Sequence, residues 1–143
     1  MVDDKLLSVH YGIQKLEWKW NGKWDNRVTE KTFAFHPSDG VELRVEAKDN
    51  QNDGHCQGSS SFILYCEAKY ASGQKAPENP WHGFVSNTNS WKSEGGTELC
   101  NVTLKKGWDE KANKLTSLGA SHIWAKGKQS VLLVGSPYKK YNY

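Results

Sequence analysis

The sequence predicts an all-β fold, an antiparallel β-sandwich of about eight strands forming a single domain. Three observations support this prediction. Short segments alternate between apolar and charged residues, turn residues separate those segments, and no repeat at a fixed period is present. At 143 residues the chain has the length of one ordinary domain. A small β-barrel is the competing architecture.

The clearest strand patterns lie in the first third of the chain. Residues 16–20 and 41–47 alternate apolar with charged side chains, and residues 28–35 do so less cleanly. Residues 36–40 contain the proline and glycine typical of a tight turn. The segments on either side are therefore predicted to pair as an antiparallel hairpin. Asn21-Gly22 is a second turn candidate.

Later segments continue the β pattern. Residues 130–135 are expected to pair with residues 121–126 across Gly127-Lys128. The stretch 71–96 is long and irregular but contains aromatic residues, which favours an ordered structure. The helical candidate at 108–115, between Gly107 and Gly119, is short for a helix. Further strands are predicted at 61–70, near 81–85 and at 98–105.

Charge and hydropathy disfavour several functions. The net charge of +3 comes from dispersed lysines, which argues against nucleic-acid binding and favours only a mild attraction to anionic surfaces. No window approaches the roughly 20 apolar residues of a transmembrane helix. The first eight residues lack the basic and apolar regions of a secretory signal. We therefore expect a protein that is cytoplasmic in its producer, or released non-classically to act at target-cell membranes.

Cysteine and histidine spacings indicate neither a metal site nor catalysis. Cys56, Cys66 and Cys100 form no CxxC pair, so buried free thiols are expected, with one bridge involving Cys66 left open. The five histidines have no recognised ligand spacing. No G-x-S-x-G motif or phosphate-binding loop is present either. The sequence predicts a protein that is not an enzyme and needs no cofactor.

Seven tryptophans are the unusual feature of the composition. Trp18, Trp20 and Trp124 fall in predicted strands and are expected to fill the core. Loop segments rich in Gly, Asn or Pro carry or adjoin the other four, which are Trp24, Trp81, Trp91 and Trp108. Exposed aromatic rings suit two partners, because they stack on sugar rings and also settle at the headgroup level of membranes. These four are therefore candidate ligand contacts.

A series of short motifs resembles the aegerolysin family. They are Asn21-Gly-Lys-Trp24, Gly54-His-Cys-Gln-Gly58 before a Phe-containing strand, and Asn79-Pro-Trp-His-Gly83 followed by Asn87-Thr-Asn-Ser-Trp91. Their order and approximate spacing agree with the family across residues 13–91. Two positions depart from it, since Gln57 stands where the family has an acid and Asn79 where it has a cysteine before Pro-Trp. The tail from Lys126 has no counterpart.

The resemblance implies a membrane-lipid-binding β-sandwich of fungal and bacterial type. Several such proteins act with a larger perforin-like partner as two-component pore-forming or insecticidal toxins. For this chain it implies binding to a membrane lipid headgroup, sphingolipid-like, with Gln57 joining Trp24, Trp81, Trp91 and Trp108 in the site. The replaced acid at Gln57 leaves the headgroup specificity open. A carbohydrate-binding lectin that uses the same loop aromatics is the alternative.

Overall fold

A computed structural model describes residues 2–3, 5–17, 19–20, 31–36, 40–49, 56, 61–67, 84–103 and 110–136. Within them the all-β prediction is confirmed. The strands exceed the predicted eight because many are only two residues long. The elements are β1 (Val2–Asp3), β2 (Lys5–Tyr11), β3 (Gln14–Lys15), β4 (Lys19–Trp20), β5 (Lys31–Thr32), β6 (Leu43–Lys48), β7 (Ser61–Phe62), β8 (Tyr65–Cys66), β9 (Phe84–Val85), β10 (Trp91–Ser93), β11 (Leu99–Asn101), α1 (Glu110–Ser117), β12 (Ile123–Ala125) and β13 (Ser130–Gly135).

Antiparallel pairing assembles these strands into two larger sheets. The five-stranded sheet has the order β10-β13-β6-β2-β3, and the four-stranded sheet has the order β1-β7-β12-β11. Two further pairs, β4 with β5 and β8 with β9, are also antiparallel. Most neighbours within each sheet are distant in sequence, so long-range pairing dominates the fold.

Strand β6 occupies the centre of the five-stranded sheet. Its side chains alternate strictly, with Leu43, Val45 and Ala47 buried and the residues between them exposed. The strand predicted at 41–47 is therefore confirmed. The hairpin predicted between 28–35 and 41–47 is wrong, because β2 and β13 occupy both edges of β6 while β5 pairs with β4.

The predicted hairpin of β12 with β13 is also wrong. Each strand is present, but β12 pairs with β7 and β11 whereas β13 pairs with β6 and β10. Gly127 has a φ of +70°, a left-handed conformation that glycine adopts without steric cost. The turn at this glycine carries the chain from one sheet to the other.

One hydrophobic core receives side chains from both sheets. Phe62 and Ile123 of the four-stranded sheet belong to the same buried cluster as Leu43 and Leu133 of the five-stranded sheet. Trp124 is fully buried there, and its indole N–H donates to the Lys128 carbonyl at 2.8 Å. The core prediction is thus confirmed for Trp124. Trp18 and the side chain of Trp20 lie outside the described residues.

Helix α1 confirms the short helical candidate, two residues later than the sequence placed it. Two backbone hydrogen bonds end the helix at a defined position. Ala120 donates its N–H to Leu115 O at 3.1 Å, and Gly119 donates to Thr116 O at 3.0 Å. This pair of bonds is the Schellman motif, and Gly119 supplies the left-handed residue it requires with a φ of +95°.

A disulfide joins Cys56 to Cys100 of β11, with a Cα–Cα distance of 6.1 Å. Thr103 adds a backbone bond, donating its N–H to Cys56 O at 3.1 Å. The expectation of free thiols is wrong for these two cysteines, since spacing alone cannot reveal which residues the fold brings together. Cys66, the residue favoured for a bridge, is the free one. Burial raises the pKa of its thiol to about 12.

Removing this disulfide should destabilise the fold strongly. The bridge spans 44 residues, and loop-closure entropy at that length corresponds to about 4 kcal/mol. We expect the double variant Cys56→Ser with Cys100→Ser to lose a free energy of unfolding of that order, measured by urea denaturation. Cys66→Ala is the control for loss of a thiol that closes no loop. A double variant as stable as the unmodified protein would contradict the bridge.

Candidate functional site

Trp91, a predicted ligand contact, belongs to the core. It begins β10, is 3% exposed, and donates its indole N–H to Val85 O at 3.1 Å. Its ring packs on Phe62 and Phe84, with centroid distances of 5.3 and 5.6 Å. The expectation that Trp91 is exposed on a loop is therefore wrong. It joins the two sheets instead, because Phe62 lies in the four-stranded sheet and Trp91 in the five-stranded one.

The asparagine-rich segment before Trp91 has a structural role of its own. The side-chain oxygen of Asn87 accepts hydrogen bonds from Asn89 N at 3.0 Å, Ser90 N at 2.7 Å and Ser90 Oγ at 2.8 Å. Such bonds from an Asn side chain to the following backbone stabilise a turn. Since that oxygen is engaged within the turn, the segment directs Trp91 inward.

The remaining predicted site residues lie outside the described residues. They are Trp24, Gln57, Trp81 and Trp108. Cys56, which precedes Gln57 in the sequence, is joined to Cys100 of β11 by the disulfide. The roles of these four residues in ligand binding stay predictions.

A serine and a histidine form a close pair between strands. Ser61 Oγ of β7 lies 2.7 Å from Nδ1 of His122, which precedes β12. Burial lowers the pKa of His122 to about 4, so its imidazole is neutral at pH 7. Nucleophilic catalysis uses similar pairs, but with the serine presented to substrate on a strained turn. Ser61 is 5% exposed within a strand, so the pair here serves to cross-link β7 and the chain entering β12.

The β2–β3 hairpin presents an apolar surface to solvent. Gly12, with a φ of +62°, occupies the first central position of its two-residue turn, as in a type II′ turn, and Ile13 follows it with 104% exposure. Half-buried apolar side chains gather beside this turn. We call the group of Ile13, Val41, Phe33 and Phe35 the hairpin rim.

Val41, Phe33 and Phe35 contact the hairpin or one another, whereas Ile13 projects into solvent. A Cβ on Gly12 would lie 3.0 Å from Val41 Cγ1, so Val41 packs on the turn itself. The Phe35 ring lies 4.4 Å from that of Tyr11 in β2, and the Phe33 ring lies 6.2 Å from Phe35. Sequence inspection missed this surface because the turn has no Asn, Asp or Pro. The available signal was Gly12 followed by an isoleucine, where turns usually carry a polar residue.

Basic residues form a row across the solvent face of the five-stranded sheet. Cross-strand partners run from Lys15 through His10 and Arg44 to Val134 and Lys92, one from each strand. Partners opposite one another share a face of the sheet. Val134 is buried, whereas Lys15, Arg44 and Lys92 are exposed. We call the four basic residues, Lys15, His10, Arg44 and Lys92, the basic row; the buried Val134 lies between Arg44 and Lys92.

Carboxylates compensate only the middle of the basic row. Arg44 lies 3.5 Å from Glu42 and 3.5 Å from Glu94. Among the residues that the structure describes, neither Lys15 nor Lys92 has a salt bridge. The uncompensated positive charge therefore lies at the two ends of the row, and the Lys15 end adjoins the hairpin rim.

Comparison of the chain with protein-family models, curated proteins and solved structures gives no match. The resemblance to aegerolysins therefore stays a prediction. In the part of the chain that the structure describes, no helix has the length and apolar character needed to cross a membrane. Within the same residues, no three His, Cys, Asp or Glu side chains come together as a metal site would require.

Packing of Trp91 against Gly135 can be tested by a double-mutant cycle. A Cβ at position 135 would lie 2.6 Å from Trp91 Cε2, closer than packed atoms approach. Gly135→Ala should therefore cost about 1 to 3 kcal/mol in the free energy of unfolding. The cost should shrink in a Trp91→Leu background, which removes the indole atoms that the new Cβ would meet. An equal cost in both backgrounds, measured in urea, would show that this contact is not the cause.

The Ser61–His122 pair should make stability depend on pH. Burial lowers the pKa of His122 from its ordinary 6.5 to about 4, so the unfolded chain binds the proton more readily between those values. The contribution is present in full above pH 6.5 and declines as the pH falls toward 4. We expect the melting temperature to fall from pH 7 to pH 5, and His122→Asn to reduce that fall. An unchanged pH profile in the variant would contradict a buried neutral imidazole.

Proposed function

We propose that the protein binds membrane-lipid surfaces without catalysis and that the hairpin rim enters the headgroup layer. The observation that supports this proposal most directly is the exposure of Ile13, a β-branched apolar residue that is 104% exposed at the tip of a two-residue turn. Isolated exposed apolar residues are common and need no explanation. Ile13 differs because it stands at the tip of a paired hairpin whose turn packs against a half-buried apolar side chain, Val41.

Folding gives no reason for an isoleucine at this position. Turn positions favour Gly, Asn, Asp and Ser, and a side chain that buries nothing adds little to the stability of the fold. Residues that break a local rule without a gain in stability concentrate at functional sites. The position of Ile13 therefore favours a contact with something outside the chain.

The hairpin is held firmly enough to present Ile13 in one orientation. β2 pairs along most of its length with β6, and Gly12 donates its N–H to Glu42 O at 3.0 Å beside the turn. Leu16, directly after β3, donates to Val9 O at 2.8 Å and is buried. A preorganised apolar tip loses little conformational entropy when it enters a membrane, which favours binding.

The proposal agrees with what the aegerolysin resemblance implies. Lipid binding, a sphingolipid-like headgroup and a perforin-like partner are that family's properties, and for this chain they are proposals. Trp24, Trp81 and Trp108 would add contacts at the headgroup level if they are exposed. Because Trp91 is buried, we take the hairpin rim as the main contact in its place.

Replacing Ile13 tests the proposal. Ile13→Ser should weaken retention on lipid vesicles about thirty-fold, because transfer of one isoleucine side chain from water contributes about 2 kcal/mol. Thermal stability should not change, since the side chain is fully exposed. Leu118→Ser is the matched control, because Leu118 is 48% exposed beside α1, away from the hairpin rim. Co-sedimentation with phosphatidylcholine and sphingomyelin vesicles measures the effect.

The same experiment separates lipid binding from sugar binding. A lectin would bind a glycan array, would lose that binding in the presence of free sugar, and would not co-sediment with glycan-free vesicles. Equal loss of vesicle binding in Ile13→Ser and Leu118→Ser would show that neither site is specific. Retention on vesicles that depends on Ile13 alone is the result we expect.

A further inference from the structure

We infer that the basic row makes the membrane contact selective for bilayers with anionic headgroups. The inference rests on the proposed function and specifies its lipid chemistry. The sequence indicates only dispersed lysines, because the members of the row come from four different strands. Cross-strand register brings them into line, and that register is visible only in the fold.

The relative positions of the row and the hairpin rim suit a bilayer. His10 and Lys15 are opposite partners, and the turn begins two residues beyond His10, at Gly12. At the rise of a β-strand this separation is roughly 7 Å. Apolar groups of peripheral proteins lie about 5 to 10 Å into the boundary between headgroups and acyl chains. When Ile13 is at that depth, the basic row is therefore level with the phosphates.

Charges on the remainder of this face set the orientation. Beyond the basic row lies a row containing Ser8, Glu46 and Leu132, in which Ser8 donates to Glu46 at 3.1 Å. A third row brings Lys5 directly opposite Lys48. Five cations (Lys5, Lys15, Arg44, Lys48 and Lys92) and four carboxylates (Glu17, Glu42, Glu46 and Glu94) lie on this face, so it carries a formal charge of 5 − 4 = +1.

A bilayer fits this pattern better than a nucleic acid does. A nucleic-acid backbone would track along a continuous cationic surface, whereas Glu46 and Glu94 interrupt this face behind the basic row. An exposed isoleucine at the edge gains nothing from a phosphate backbone but gains free energy from acyl chains. The anionic surface is therefore met edge-on, by Ile13 and the basic row; Glu42, level with Gly12 at the same edge, has its carboxylate paired with Arg44.

Two lysines at the ends of the row provide the test. Lys15→Gln with Lys92→Gln removes the uncompensated charges, and Lys114→Gln with Lys126→Gln is the control matched in net charge. Lys114 lies on α1, and Lys126 pairs with Glu98 at 3.1 Å, so neither belongs to this face. Binding is measured on vesicles of phosphatidylcholine alone, of phosphatidylcholine with phosphatidylserine, and of phosphatidylcholine with sphingomyelin.

We expect the unmodified protein to bind phosphatidylserine vesicles most tightly, and less tightly as salt is raised. The variant Lys15→Gln with Lys92→Gln, the row variant, should bind phosphatidylserine vesicles about thirty-fold more weakly, since each lysine near an anionic surface contributes about 1 kcal/mol. It should bind the phosphatidylcholine and sphingomyelin vesicles as the unmodified protein does. The control variant should lose much less affinity for the anionic vesicles.

Three outcomes would overturn the inference, and they differ in what they say of the proposed function. Equal binding to neutral and anionic vesicles, unaffected by the row variant, would reject anionic selectivity and leave lipid binding standing. No retention on any vesicle would reject both. Tight binding to a DNA or RNA duplex that the row variant abolishes, without vesicle binding, would make a nucleic acid the occupant of this face.

Discussion

The two-residue period of β6, fixed on both edges by pairing, is the constraint on which the rest of the molecule depends. Leu43, Val45 and Ala47 face inward, and the register that places them there also places Arg44 and Glu46 outward. A shift of one residue would exchange the two faces, burying three charged groups and exposing the core. Because that exchange is so unfavourable, the packing of the core also fixes the positions of the charges in the basic row.

The contact between the sheets is made largely by aromatic side chains. Trp91 packs on Phe62 across the core, and Gly135 is the neighbour that leaves room for the indole. The indole N–H of Trp91 donates a hydrogen bond to Val85 O, so the ring is buried without an unpaired donor. The tryptophan content that first suggests ligand binding is thus partly explained by packing, since Trp91 and Trp124 both belong to the core.

Local sequence patterns predicted that the chain forms strands and which residues of those strands are buried. They did not predict contacts between residues that are distant in the sequence. The alternation of residues 41–47 correctly gave the strand and its buried face, but it contained nothing about which strands would lie beside it. Proximity in sequence suggested two hairpins, and both are wrong because β6 and β12 pair with distant strands. The Cys56–Cys100 bridge and the basic row were not predicted either, because both join residues that are distant in the sequence. Trp91 was misplaced because the turn made by Asn87 resembles an exposed loop in sequence.

Under the proposed function, two weak attractions would act together, one from an apolar group and one from charged groups. Transfer of Ile13 contributes about 2 kcal/mol, and Lys15 and Lys92 contribute about 1 kcal/mol each at an anionic surface. Either part alone would give weaker binding than the two together, and even a single lipid chain gives only marginal, reversible attachment. Arg44 adds less, because Glu42 and Glu94 already compensate it, but those contacts keep the middle of the row in place. Under the proposed function, binding of this strength would be reversible and would depend on lipid composition, so the surface would detect membrane composition rather than serve as a permanent anchor.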